Sequence, residues 1–255
     1  MLVETRKKIK TGLPEDGLFI LVGPEKSGKS KFSASFPNSY VLETEKGGGD
    51  RIDGRIHDIN SLDEFRQVIK EVIENKDIKT IVIDTLDQLS NWIESDVAKQ
   101  YGLENISDTK PGVDGYEKWG EYRKRIELLC AYFKASGKLV ILNAHCREAK
   151  IDANGTLVTP MGINLPGKSG PYLAAQADAI GYMHKKQLGS TTCYFLSFQG
   201  GPLGAWGSRI EELNDKTLQI PREDCYSAFA AAFTSSVAQN GVKKDVKKAK
   251  EKVEA

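Results

Sequence analysis

Short apolar runs recur along the chain at Leu18–Val22, Tyr40–Thr44, Thr80–Thr85 and Leu139–Ala144, with polar residues only toward their ends. Runs of this length, rich in Val, Ile and Leu, predict strands covered on both faces, the environment of a central parallel sheet. Between them the spacing turns helical. A short helix opens at Lys29 and is stopped by Pro37. Ser61 and Glu64 form a capping box for a helix with Leu62, Phe65, Ile69, Val72 and Ile73 on one face. Residues 86–101 and 114–136 carry two more apolar stripes, Leu89, Trp92 and Ile93, then Tyr122, Ile126, Leu129 and Phe133. Ordinary burial preference assigns these aromatics to the core rather than to a base-stacking platform. A further short strand is expected past Ile56 and Ile59, and a polar loop over Asn105–Gly115.

After Ala144 the pattern changes. Glu148–Asp152 and Thr156–Thr159 flank Asn154-Gly155, a strong hairpin signal. Pro160–Pro171 is rich in glycine and proline and is expected to hold no regular element. A short helix near Leu173–Ala177, a strand at Ala179–His184, a turn at Leu188–Ser190 and a strand at Thr192–Phe198 follow. Gln199–Ser208 reads as loop, Asp224–Phe233 as a last helix, and Gln239–Ala255 as a lysine-rich, solvated tail. The expected division is an N-terminal segment (1–17), a core (18–225) and a C-terminal helix with its tail (226–255). Strand–helix alternation with right-handed crossovers makes the class α/β, a mostly parallel sheet with late antiparallel hairpins.

Composition narrows this little. A chain of 255 residues with net charge +1 suits one domain, and any polyanion-binding surface must be local. The four cysteines are scattered without a C-x-x-C pair, so neither zinc nor disulfides are indicated. No run is long enough to span a bilayer and the first residues have no apolar h-region, so a cytoplasmic protein without a membrane partner is expected.

The chemistry lies after the first strand. Gly23, four residues, then Gly28-Lys29-Ser30 is the G-x-x-x-x-G-K-[ST] phosphate loop. Its glycines permit backbone angles that let successive N–H groups converge on phosphate oxygens. The helix opening at Gly28 adds the positive end of its dipole. Nucleotide contacts are expected from Gly23, Pro24, Glu25, Lys26, Ser27, Gly28, Lys29, Ser30 and Lys31. Lys29 would reach the β- and γ-phosphates, and the Ser30 hydroxyl would hold Mg²⁺. Ligands in parallel sheets sit at the carboxyl ends of strands, which makes Asp84 the second Mg²⁺ contact. The nearest match to the guanine-reading N-K-x-D is Asn75-Lys76-Asp77-Ile78, and no D-x-x-G follows from Asp84, so ATP is the expected nucleotide. Hydrolysis also needs a carboxylate at the attacking water. Thr85 follows Asp84, so the acid must come from elsewhere; Glu45, just past the second strand, is the candidate, with Glu43 further back on the same side.

VLETEKGG, TIVIDT and VILNAH resemble the glutamate-bearing strand, the Walker B strand and the sensor strand of RecA-like ATPases. The resemblance makes His145 the γ-phosphate sensor. With Leu165–Ser169 and Ala177–Tyr182 added, residues 15–225 resemble the small phage P-loop ATPases, the Sak-type single-strand annealing proteins filed as an AAA-type phage nucleotide-binding family. That implies a RecA-like core and a homo-oligomer, ring or filament. It makes Arg209 of Gly207-Ser208-Arg209 a candidate finger completing a neighbour's site. It also places DNA-binding loops at Asn105–Gly115 and Cys146–Gly170, with Arg147, Lys150 and Lys168 as contacts. The partners it implies are single-stranded DNA and, further, a single-strand binding protein, in the cytoplasm of a phage's host. The expectation is therefore ATP-dependent annealing or strand exchange. The rivals are a P-loop kinase, disfavoured by the scarcity of arginine over 105–170, and an ATP-gated loader with little turnover.

Overall fold

Leu18–Val22 has no polar face to offer water, and it lies at the centre of the molecule. In the computed structural model, which describes residues 12–154, 157–201, 204 and 206–234, this run is strand β1 (Gly17–Gly23). α1 (Lys29–Ala34) follows, then β2 (Ser39–Glu43), β3 (Ile56–Asp58) and α2 (Leu62–Glu74). Ser61 caps α2 by accepting from the Glu64 N–H, as the capping box predicts. β4 (Thr80–Asp84), α3 (Leu86–Gln100), α4 (Gly115–Ala135) and β5 (Leu139–Arg147) complete the first half.

The second half holds β6 (Lys150–Ile151), β7 (Leu157–Thr159), β8 (Gly162–Ile163), α5 (Ser169–Gln176), β9 (Ala179–Leu188), β10 (Thr191–Ser197), β11 (Gly207–Ser208) and β12 (Thr217–Ile220). Residues 225–234 are helical. The main sheet runs β12-β10-β9-β1-β5-β4-β2-β3. It is parallel from β9 to β3, while β10, β11 and β12 add antiparallel. One strand, β5, separates β1 from β4, which leaves roughly 10 Å between the phosphate loop and Asp84 at normal strand spacing.

Helices cover both faces, as continuous apolar strands require. On one side Phe65, Ile69, Leu89, Tyr122, Ile126 and Phe133 pack with Ile81, Ile83 and Leu142, so the helical aromatics are core. On the other, Phe32 of α1 and Phe229 of the last helix pack over Phe19, Val82 and Ile141. Phe229 meets Phe19, Phe32 and Phe36 edge-on or tilted. A boundary drawn after residue 225 therefore falls at the start of a helix that belongs to this core.

Three expectations need correction. Gly207–Ser208, read as loop, pairs antiparallel with β9 as β11. Pro160–Pro171 is not wholly irregular: β8 pairs antiparallel with Cys146–Arg147, and α5 begins at Ser169 rather than near Leu173. Pro171 sits in that helix's first turn, where its missing N–H has no intrahelical acceptor to lose. β12 was not anticipated, because four residues between charged flanks carry too little pattern to separate strand from loop. The 148–159 hairpin is present as β6 and β7, its Gly155 outside the described residues. The tail from 235 onward and residues 1–11 also lie outside them.

Candidate nucleotide site

β1 delivers the chain to the carboxyl edge of the sheet at Gly23, and the loop that follows is built around missing side chains. A Cβ on Gly23 would fall 2.2 Å from the Met183 carbonyl oxygen, so only glycine fits there. Gly28 caps α1 at φ 100°, an angle that favours glycine. α1 itself has only six residues, so the loop backbone, more than a helix terminus, would meet phosphate. Lys29 is 6% exposed and its Nζ donates to the carbonyls of Gly23 and Pro24, 2.9 Å each. Burial pushes its pKa down, opposed by the charges of Asp84, Asp87 and Glu45. Ser27 Oγ is buried without a partner, an orphaned donor of the kind a phosphate oxygen would satisfy. Pro24, Glu25, Lys26 and Lys31 are exposed on the loop and the first turn.

Across the edge, register aligns Asp58, Glu43, Asp84 and Asn143 in one row. Burial drives the Asp84 pKa up, while the Ser30 hydroxyl, the Asn143 side chain and Lys29 pull it back. A desolvated carboxylate beside a hydroxyl suits a divalent cation that completes its shell with phosphate oxygens and water, as Mg²⁺ does. Ser30 and Asp84 would hold it. Asn143, wholly buried, donates from Nδ2 to Ser33 Oγ at 2.9 Å, and Ser33 Oγ donates to the Lys29 carbonyl at 3.0 Å. This chain ties the Asp84 strand to the phosphate-loop helix. Its trace in the sequence is the one polar residue inside LVILNA.

Thr85, which seemed to leave the site without an adjacent acid, supplies one indirectly. Its N–H donates to Thr44 Oγ1 and its carbonyl accepts from the same hydroxyl, 2.8 Å each, fastening the end of β2 to the end of β4. Its own hydroxyl then donates to Glu45 Oε1 at 2.6 Å. Glu45 is exposed and faces the same cavity as Lys29, Ser30 and Asp84. Glu43 is otherwise engaged. It accepts the Gly49 N–H, and a Cβ on Gly48 would lie 2.6 Å from its Oε1. Burial and the neighbouring Asp58 raise its pKa, against that N–H. The triple glycine is thus a turn wrapped around Glu43; both glutamates line the cavity, Glu43 buried and held by that turn, Glu45 exposed to it.

His145 follows the buried part of β5 and pairs beside Gly23. Asp87 accepts its N–H at 2.8 Å and stands 3.5 Å from its Nδ1. Asp87, in the first turn of α3, was not singled out from sequence; the second acid after TIVID was its only signal. Arg209 lies elsewhere. Its N–H donates to the Asp178 carbonyl and its guanidinium to that of Ala175, while Asp178 caps the Leu18 N–H. It therefore sits at the amino end of β1, about 16 Å of strand from Gly23 at 3.3 Å per residue, and cannot serve its own site. Lys150 and Lys168 are exposed, and Arg147 is half-buried with its Nε unpartnered above Gly162.

Lys29, Ser30, Glu45, Asp84 and His145 line one cavity of 690 Å³. No described helix is long and apolar enough to cross a membrane. The SPbeta prophage-derived uncharacterized protein YorG of Bacillus subtilis (strain 168) is 28% identical over 141 residues, covering 53% of this chain and 43% of that protein, so the match spans less than half of the relative. The crystal structure of KaiC-like protein PH0186 from Pyrococcus horikoshii OT3 aligns over 82% of this chain and 87% of that one, at 17% identity and a TM-score of 0.47. The model of one sequence family, described as AAA domain, matches residues 18–209, from the first strand through the late hairpin, and on that match the chain belongs to the AAA domain family.

Proposed function

We propose that this protein hydrolyses ATP with Mg²⁺ and couples turnover to single-stranded DNA, promoting annealing or strand exchange as a Sak-type phage recombination protein. The observation that carries the hydrolytic part is Glu45, held by Thr85 in the cavity of Lys29 and Asp84. Glu45 orients a water on the γ-phosphate and takes its proton as the new P–O bond forms. The bond to the bridging oxygen breaks, and ADP leaves with negative charge that Lys29 offsets; Ser30 and Asp84 would hold a Mg²⁺ that would supply further charge neutralisation there. On this reading His145, seated by Asp87, registers the γ-phosphate.

The DNA part rests on how β5 continues. Two residues beyond His145 the same strand carries Arg147, paired with β8, and the hairpin of β6 and β7 projects from it with Lys150 exposed. A nucleotide-dependent shift at His145 would be transmitted along one strand to the basic segment. ATP turnover measured with and without single-stranded DNA tests the whole reading, and stimulation is expected. Tight ATP binding with slow turnover under both conditions would favour an ATP-gated loader, and phosphate transfer to a small acceptor would make it a kinase.

If the segment tracks phosphates, Lys150→Ala with Lys168→Ala weakens single-strand binding similarly across sequences. It also lowers the salt slope, which is about −0.7 per neutralised phosphate. Deleting residues 240–255 separates this from the lysine tail. Loss of binding on tail deletion, with the double variant binding normally, would remove the loop from the proposal.

Arg209 can act only on a neighbouring subunit. Arg209→Ala is expected to bind ATP and fail to hydrolyse it, and mixing it with Lys29→Ala protein should restore part of the turnover, since one interface then combines an intact loop with an intact arginine. Mixtures that co-assemble without recovery would assign Arg209 to the Ala175 contact alone.

A further inference from the structure

The cavity extends beyond the phosphate loop. One end holds the phosphate loop, Asp84 and Glu45; the other is lined by Met183, Tyr194, Ile220, Pro221, Arg222 and Cys225. That second lobe offers apolar surface, one aromatic face and one planar cation, which are the groups a heteroaromatic ring stacks on.

Its parts are fixed in place. The Tyr194 ring lies against the start of α1, with Cδ1 3.3 Å from where a Cβ on Gly28 would stand. The corner carrying Pro221 and Arg222, between β12 and the last helix, is fastened to α1 by aromatic contacts. Phe36 meets Tyr226 at 5.1 Å and Phe32 meets Phe229 at 5.7 Å. Arg222 is exposed, and its guanidinium carbon stands 5.9 Å from the Tyr194 ring centroid. At that distance the guanidinium makes a cation–π contact with the ring, short of the roughly 7 Å that a planar ring between them would need, so a base would enter by swinging this exposed side chain outward. Among the described residues no carboxylate forms an ion pair with Arg222, so its guanidinium is not committed to one.

We propose that Tyr194 and Arg222 are a nucleobase clamp, which holds the base of the bound nucleoside triphosphate by stacking and leaves its hydrogen-bonding edge largely unread. The proposal rests on the nucleotide-site reading above. It also widens the expected nucleotide beyond ATP, because no side-chain amide or carboxylate is among the described residues of this lobe. π-Faces, a cation and apolar surface favour every base.

The test measures Mg²⁺-dependent binding of ATP, GTP and inorganic tripolyphosphate to the full chain. For the wild type, ATP and GTP are expected to bind within about fivefold of each other, and both more tightly than tripolyphosphate. Arg222→Ala should weaken ATP and GTP alike by roughly ten- to a hundredfold, the range of losing one stacking partner, and leave tripolyphosphate unchanged. Arg222→Lys, which keeps the charge and loses the flat face, should stay weakened. Tyr194→Leu provides the same comparison from the other side of the clamp.

Equal loss of tripolyphosphate and ATP in Arg222→Ala, or full recovery in Arg222→Lys, would make Arg222 a phosphate ligand and overturn the clamp. A preference of a hundredfold or more between ATP and GTP would overturn the stacking-only mode. Failure of the wild type to bind any of the three would instead overturn the nucleotide-site reading, with Lys29→Ala as the reference for a lost phosphate site.

Discussion

Lys29→Ala is expected to abolish measurable ATP binding: calorimetry with Mg²⁺-ATP should give no saturable heat, and ATP should no longer raise the melting temperature. Lys29 is the buried cation of the site, and its Nζ already lies between the Gly23 and Pro24 carbonyls at the mouth of the loop. The triphosphate must leave water for a cavity already lined by Asp84, Glu43 and Glu45. Without Lys29, that anion would meet carboxylates and two carbonyls stripped of their donor. Lys26, exposed on the loop at φ 56°, can compensate only in part, and Lys26→Ala measures that smaller share. The fold should survive, since burying this ammonium is itself unfavourable, as its lowered pKa records. Wild-type affinity in the Lys29 variant would refute the phosphate-loop assignment.

Glu45→Gln is the second large effect. Turnover should fall about 10²–10⁴-fold, the usual cost of losing a general base, while ATP binding stays near the wild-type value. The side-chain amide still accepts the Thr85 hydroxyl, so the group remains where it was and only its capacity to take a proton is lost. Glu43→Gln is the informative contrast. Its carboxyl is buried under the triple glycine, so its replacement should lower the melting temperature, with turnover reduced only as far as the turn loosens. Single-turnover hydrolysis alongside thermal melts distinguishes the two. An inactive but fully stable Glu43→Gln beside an active Glu45→Gln would transfer the catalytic role to Glu43.

The sequence by itself determined the features whose cause is local. Continuous apolar runs specify strands that must be covered on both sides, and β1, β2, β4 and β5 all lie inside the sheet. The phosphate loop is legible because its function resides in contiguous backbone, and glycine is the mark of backbone angles that other residues avoid. Ser61 and Glu64 announced a helix start for the same reason, since a cap satisfies N–H groups within one turn.

What tertiary structure alone decided is which side chains meet across strands. Thr85 looked like a missing acid in the sequence, and in the fold it is the residue that holds Glu45, 40 positions away in the chain. Asn143 joins Asp84 to the phosphate-loop helix only because β5 lies between β1 and β4. Asp87 seats His145, and Arg222 comes to stand over Tyr194, through contacts between segments far apart in sequence. Arg209 shows the reverse, a residue near the motifs by pattern and at the far end of the sheet in space. Strand order and register are set by the burial of whole faces, a sum over many distant residues. No local window of the sequence contains that sum, and so none contains the pairings that depend on it.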